Sequence, residues 1–196
     1  MTDVRSRYRR VFIEGSNTDR LVFFSDAVFA IALTLLVIDL KVPTDGSGTA
    51  WEVITSQIPD LFAYALSFAI VSINWVAHHR LFRVITAHDG PLMLVDLVLL
   101  FVVAFVPFPT SLLSEYGDEA AAVVLYAFVV GLLGVLQFAL WFWAWRHGLV
   151  GEQVDLELYR YYRSRQLATP AIFWLSIPLA LFVRADWAMY FWLTLI

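Results

Sequence analysis

The 196-residue sequence has no cysteine and little charge: 13 Lys and Arg against 17 Asp and Glu, 15% of the chain, for a formal net charge of −4. Without cysteine there can be no disulfide, no thiolate nucleophile and no Cys-based zinc site. A soluble domain carries about 25% charged and 45–50% apolar residues. Here 61% of residues are hydrophobic and the mean hydropathy is +0.74. Both departures argue against a soluble globular enzyme, a disordered chain and a nucleic-acid binder. No G-x-S-x-G, P-loop or intramembrane Asp pair offers catalytic machinery, and no T-V-G-Y-G carbonyl filter is present. What the chain does have is 16 Phe, 8 Trp and 8 Tyr, residues that crowd membrane interfaces.

A membrane-crossing helix needs about 20 mostly apolar residues. Spans are expected over 20–40, 59–82, 91–113, 119–145 and 166–183, with a sixth opening at Trp187 that has about half a span of sequence before Ile196. The third is broken late by Pro107-Phe108-Pro109, and the fifth contains Pro170 and Pro178. Neighbouring helices can satisfy the carbonyls that such prolines free. The stretch 49–57 reads as a short surface helix. The expected architecture is all-α: one six-helix transmembrane domain over 1–196, its sixth helix partial.

Orientation follows from the basic residues. Arg5, Arg7, Arg9, Arg10, Arg20, Arg80, Arg83, Arg146, Arg160, Arg163 and Arg165 fall on one side of these spans, leaving only Lys41 and Arg184 on the other. Lys and Arg gather on the cytoplasmic side, so the N-terminus is expected there. The outer loops carry Asp45, Glu52, Glu115, Asp118 and Glu119, read first as a solvated surface.

Ionisable residues inside a span are costly and mark function by default. Asp26 lies roughly 9 Å deeper than Arg20 along the first span. Near the inner end of the second stand Asn74, Trp75, His78 and His79. Helical spacing makes neighbours of Asn74 and His78, of Trp75 and His78, and of Trp75 and His79. Arg20, Ser25, Asp26, Asn74, Trp75 and a histidine are thus candidates for one buried polar knot. It has two compatible readings: an interhelical clamp, or a relay for protons or ions. Asp96 reads as interfacial, and Gln137 as a helix–helix contact. Adjacent histidines point about 100° apart and match no metal motif, so no metal site is expected. Ala27, Ile31, Leu35 and Ile38 recur on one helix face with Thr34 beside it and Asp39 near the end. From periodicity alone this stripe is packing or lipid-facing surface.

Arg20-Leu-Val-Phe-Phe24-Ser25-Asp26 matches R-x-x-x-F-S-D and resembles the signature of the transmembrane protein 175 family, potassium-permeable channels of endolysosomes and bacteria. The rest of the first span, Asn74-Trp75-Val-Ala-His78-His79 and Val106-Pro107-Phe108-Pro109-Thr110 resemble further stretches of that family. The resemblance implies a homotetramer around a central pore lined by the first helix, because bacterial members carry one six-helix unit per chain. Vertebrate members carry two and dimerise. It implies that Arg20, Phe24, Ser25 and Asp26 hold the pore helix through the second helix. It also places Ile31 at the tightest apolar ring, with Leu35 and Ile38 as further rings. The expected function is then a potassium-permeable channel in a bacterial plasma membrane, with potassium as permeant and no cofactor. Two alternatives stand beside it: a proton-permeable channel or proton-coupled transporter using Asp26 and a second-span histidine, and a non-conducting scaffold.

Overall fold

The computed structural model describes residues 18–40 and 49–192. The N-terminal arginines, Lys41 and Asp45 lie outside these ranges. Helix α1 (Asp19–Leu35) runs on through a 3-10 turn at Leu36–Asp39. Helix α2 is short (Ala50–Ser56), and α3 (Ile58–Phe82) is long. Then follow α4 (Gly90–Phe105), α5 (Pro107–Glu115), α6 (Ala120–Arg146), α7 (Leu156–Gln166), α8 (Ala168–Phe182) and α9 (Ala185–Trp192).

Local chemistry sets these boundaries. Thr49 and Glu52 exchange side-chain and backbone bonds in a capping box that starts the expected surface helix α2. Asp89 starts α4 and Asp155 starts α7, each accepting a backbone N–H three residues on at 2.8 Å. Pro107 has no N–H to continue α4, and Val103 O instead accepts from Val106 N at 3.2 Å. The chain re-enters a helix at once, so the third span is made of two consecutive helical pieces. Pro170 sits in the first turn of α8, where an N–H would lack a helical partner anyway, and Pro178 is interior to that helix.

Among the described residues, five helical stretches are long and apolar enough to cross a membrane: Asp19–Ile38, Ile58–Phe82, Gly90–Glu115, Ala120–Arg146 and Leu156–Phe182. The first four coincide with the expected spans to within a few residues. The fifth starts about ten residues early, because the arginine-rich stretch expected to be loop is helix α7. The expected sixth span falls on α9, with eight described residues.

Helix α6 is central. It packs on α8, α4 and α3, while α1 leans on α4 and α3. Close approach of α6 to α8 depends on absent side chains. A Cβ on Gly134 would lie 2.6 Å from Pro170 Cδ, and one on Gly131 would enter the Trp174 ring. Gly148, at φ +65°, ends α6. Beyond it, Leu149 O accepts from Thr86 N and Val84 O from Gly151 N, both at 2.9 Å. The loops after α3 and α6 therefore lie together, gathering Arg80, Arg83 and Arg146 at one end of the bundle. At the other end Ser114 hydrogen-bonds Asp60.

Candidate functional site

Helix α1 presents two unlike faces. Ser25, Phe29, Ala32 and Leu36 recur at helical spacing and are buried against the bundle. On the other side Ala27 and Thr34 are exposed, and Ile31, Leu35 and Ile38 are 59%, 40% and 62% exposed. The Thr34 hydroxyl donates to its own helix, to Ile31 O at 2.8 Å. Asp39 closes the 3-10 turn.

Two polar clasps hold the buried face. In the first, Asp96 of α4 takes Ser25 Oγ on Oδ2 at 2.9 Å and faces His78 Nε2 from Oδ1 at 2.7 Å. All three side chains are fully buried. The His78 ring lies between Phe29 and Phe82, with centroids at 5.5 and 4.5 Å, and its Nδ1 has no partner among the described residues. One carboxylate therefore joins α1, α3 and α4 where no water can substitute. In the second clasp, half-buried Trp75 donates Nε1 to Asp26 Oδ1 at 2.8 Å.

The expected knot thus divides. Ser25 and Asp26, adjacent in sequence, reach different partners. His78 pairs with Asp96 rather than Asp26. Asn74 is buried but turns away: its side-chain Nδ2 donates to Ile70 O of its own helix at 2.9 Å, and its backbone carbonyl accepts from Gln137 Nε2 of α6 at 2.8 Å. Gln137 is the helix–helix contact expected of it. His79 is exposed, with its ring 5.6 Å from that of Trp75. Arg20 and Phe24 are exposed, and neither is hydrogen-bonded to the clasps.

Asp96, read as interfacial, is instead the hub. Its signal was present in the sequence. It shares a face with Leu92, Leu99, Leu100 and Val103, all buried, so it is a carboxylate on a core stripe.

The model of the family described as endosomal/lysosomal potassium channel TMEM175 matches residues 20–107. A potassium channel of Streptomyces collinus is 38% identical over 189 residues, covering 90% of this chain and 92% of its own length. The chain belongs to the TMEM175 family. The crystal structure of a lysosomal potassium-selective channel TMEM175 homolog from Chamaesiphon minutus superposes with a TM-score of 0.67 at 33% identity, covering 92% of this chain and 98% of that one. The endosomal/lysosomal proton channel TMEM175 of Danio rerio is 27% identical over 174 residues, covering 85% of this chain but 33% of its own length. These relatives are channels, not enzymes. The TMEM175 match opens at Arg20 and encloses Ser25, Asp26, Trp75, His78 and Asp96, so both clasps lie inside the family region.

Proposed function

We propose that four copies of this chain form a potassium-permeable cation channel in a bacterial plasma membrane, N-terminus cytoplasmic, with α1 of each copy lining the pore. The supporting observation is the two-faced α1. Its polar anchors all point into the bundle, and its continuous apolar stripe is left open along the membrane-crossing direction. The names of the bacterial relatives supply the permeant ion, and the basic residues supply the orientation.

In this reading Ile31 makes the narrowest ring, with Leu35 and Ile38 behind it and Ala27, Thr34 and Asp39 flanking the path. A ring of branched apolar side chains blocks ions without carrying charge. An ion entering it loses hydration with no ligand in exchange. Potassium holds its water less tightly than sodium, so partial dehydration favours potassium, but only modestly. The clasps set the radius by fixing how α1 rotates against α3 and α4.

A second reading rests on one further observation. The His78–Asp96 pair is a buried titratable couple behind the pore helix, and vertebrate relatives are named proton channels. Proton permeation would then run by way of His78 and Asp96, because Asp26 is engaged by Trp75. Potassium and sodium flux from liposomes, with and without a proton ionophore, separates the readings. Potassium efflux that proceeds without a proton gradient supports the first. Flux of protons alone supports the second. No flux of either leaves a scaffold.

A further inference from the structure

A cavity of about 650 Å³ opens between α3, α6, α7 and α8, with no residue of α1 in its lining. Arg80 and Arg165 line it and are exposed. Tyr161 shares that lining; Arg165 donates Nη1 to its hydroxyl at 3.0 Å and lies 5.7 Å from its ring centroid, which orients the guanidinium. Tyr162 donates to Ala77 O at 3.1 Å, tying α7 to α3 along the wall. Asn74 and Gln137 also line the cavity. Asn74 is six residues back along α3 from Arg80, about 9 Å deeper. No carboxylate lines the cavity, and neither arginine is ion-paired among the described residues. Gln137, nearly fully buried, uses its Nε2 on Asn74 O, but its Oε1 has no partner among the described residues. On α3, Val76 and Ala77 lie between the two polar levels and Ile73 beside the inner one, while Ser72, Gln166 and Thr169 add polar groups to the wall.

Two guanidinium groups with no carboxylate partner among the described residues, above a mostly apolar wall, do not describe a helix-packing defect. We propose that this cavity holds the headgroup and glycerol region of an anionic phospholipid. The phosphodiester oxygens accept from Arg80 and Arg165, whose forked donors suit a phosphate. The glycerol region lies below them, and the acyl stems leave along Ile73 and Val76. Sited at the basic end of α3 and on α7, the lipid bridges the elements that surround α6 and lies outside the family-matched region 20–107 in its α6, α7 and α8 walls.

The test is native mass spectrometry of the full chain in neutral detergent, titrated with phosphatidylglycerol and, separately, phosphatidylcholine. Phosphatidylglycerol adducts are expected to form preferentially. The double variant Arg80→Gln/Arg165→Gln should weaken them about tenfold or more. Ala77→Phe, which keeps both charges but fills the cavity, should weaken them similarly, and either variant decides the matter if the other does not fold. Arg146→Gln, an exposed basic position at the same end but outside the cavity, should leave them unchanged. Equal affinity for the two lipids, undiminished phosphatidylglycerol adducts on folded cavity variants, or an equal loss with Arg146→Gln would each overturn the proposal. Displacement of the lipid by equimolar inorganic phosphate would assign the cavity to a free anion and also overturn it.

Discussion

Ser25 Oγ donates to Asp96 Oδ2 at 2.9 Å, closing α1 onto α4 across 71 positions of sequence. The same carboxylate faces His78 at 2.7 Å from its other oxygen. Each oxygen has one job, and both are sealed from water. Removing the carboxylate leaves the His78 imidazole unsatisfied, at about 1–3 kcal/mol for a buried group, while the Ser25 hydroxyl keeps its bond to Leu21 O at 2.9 Å. Asp96→Ala is therefore expected to lower the melting temperature of the purified protein markedly. Asp96→Asn, which keeps one acceptor and adds a donor of similar shape, should lower it less. A melting curve for Asp96→Ala that overlays the unmodified protein would show that the clasp contributes nothing.

The second clasp is more exposed and should be weaker. Asp26 and Trp75 form a single bond at 2.8 Å between half-buried side chains. Interhelical hydrogen bonds in membranes average about 0.6 kcal/mol by double-mutant cycles. A cycle on Asp26→Ala and Trp75→Phe, read by thermal denaturation, is expected to give a coupling energy of that order. Zero coupling would mean that the bond is geometrically present and energetically silent.

The spans were legible because a 20-residue apolar run has few alternatives in lipid. Their ends were legible where a proline or a cap announced them, as at Thr49 and Pro107. Helix α7 was not, because Leu156–Gln166 is rich in Arg and Tyr. Charge in a linker suggests loop, but an amphipathic helix beside the bundle carries the same composition, and only the Asp155 cap distinguishes it. Site residues divided in the same way. Ser25 and a second-span histidine fall into one candidate knot because both lie near the expected cytoplasmic ends of their spans. Asp96 was missed because its distance from the span's start suggested an interface, whereas burial depends on which face of α4 it occupies. Whether Asn74 turns toward α1 or α6 is a matter of helix rotation, which spacing within α3 does not define.

Helix contact depends on absent side chains at α6. The position of a Cβ on Gly134 is taken by Pro170, a rigid ring in the first turn of α8 that cannot swing aside. Gly134→Ala must push α8 off α6, and overpacking of this kind costs about 1–3 kcal/mol. It should reduce the yield of folded protein and its melting temperature. Gly151→Ala meets only the end of the flexible Gln153 side chain and should be close to neutral. Equal stability of the two variants would contradict the close approach.

The pore reading makes the sharpest demand on Ile31. Its side chain is open to one side of α1 while Phe29, two residues away, is buried in the bundle. Ile31→Asn adds an amide at the ring without disturbing either clasp. If Ile31 lines the narrow point, the amide hydrates it and supplies partial ligands to a dehydrating cation. Potassium flux from liposomes should rise and discrimination against sodium should fall. Leu175→Asn, on α8 and similarly exposed, faces no proposed pore and should leave both unchanged. Because an unsatisfied amide in lipid is itself destabilising, the comparison is made at matched reconstituted protein. A leak that rises for Ile31→Asn and not for Leu175→Asn isolates the ring from general damage. Unchanged flux in Ile31→Asn would move the gate elsewhere on α1, with Leu35 and Ile38 the next positions to substitute.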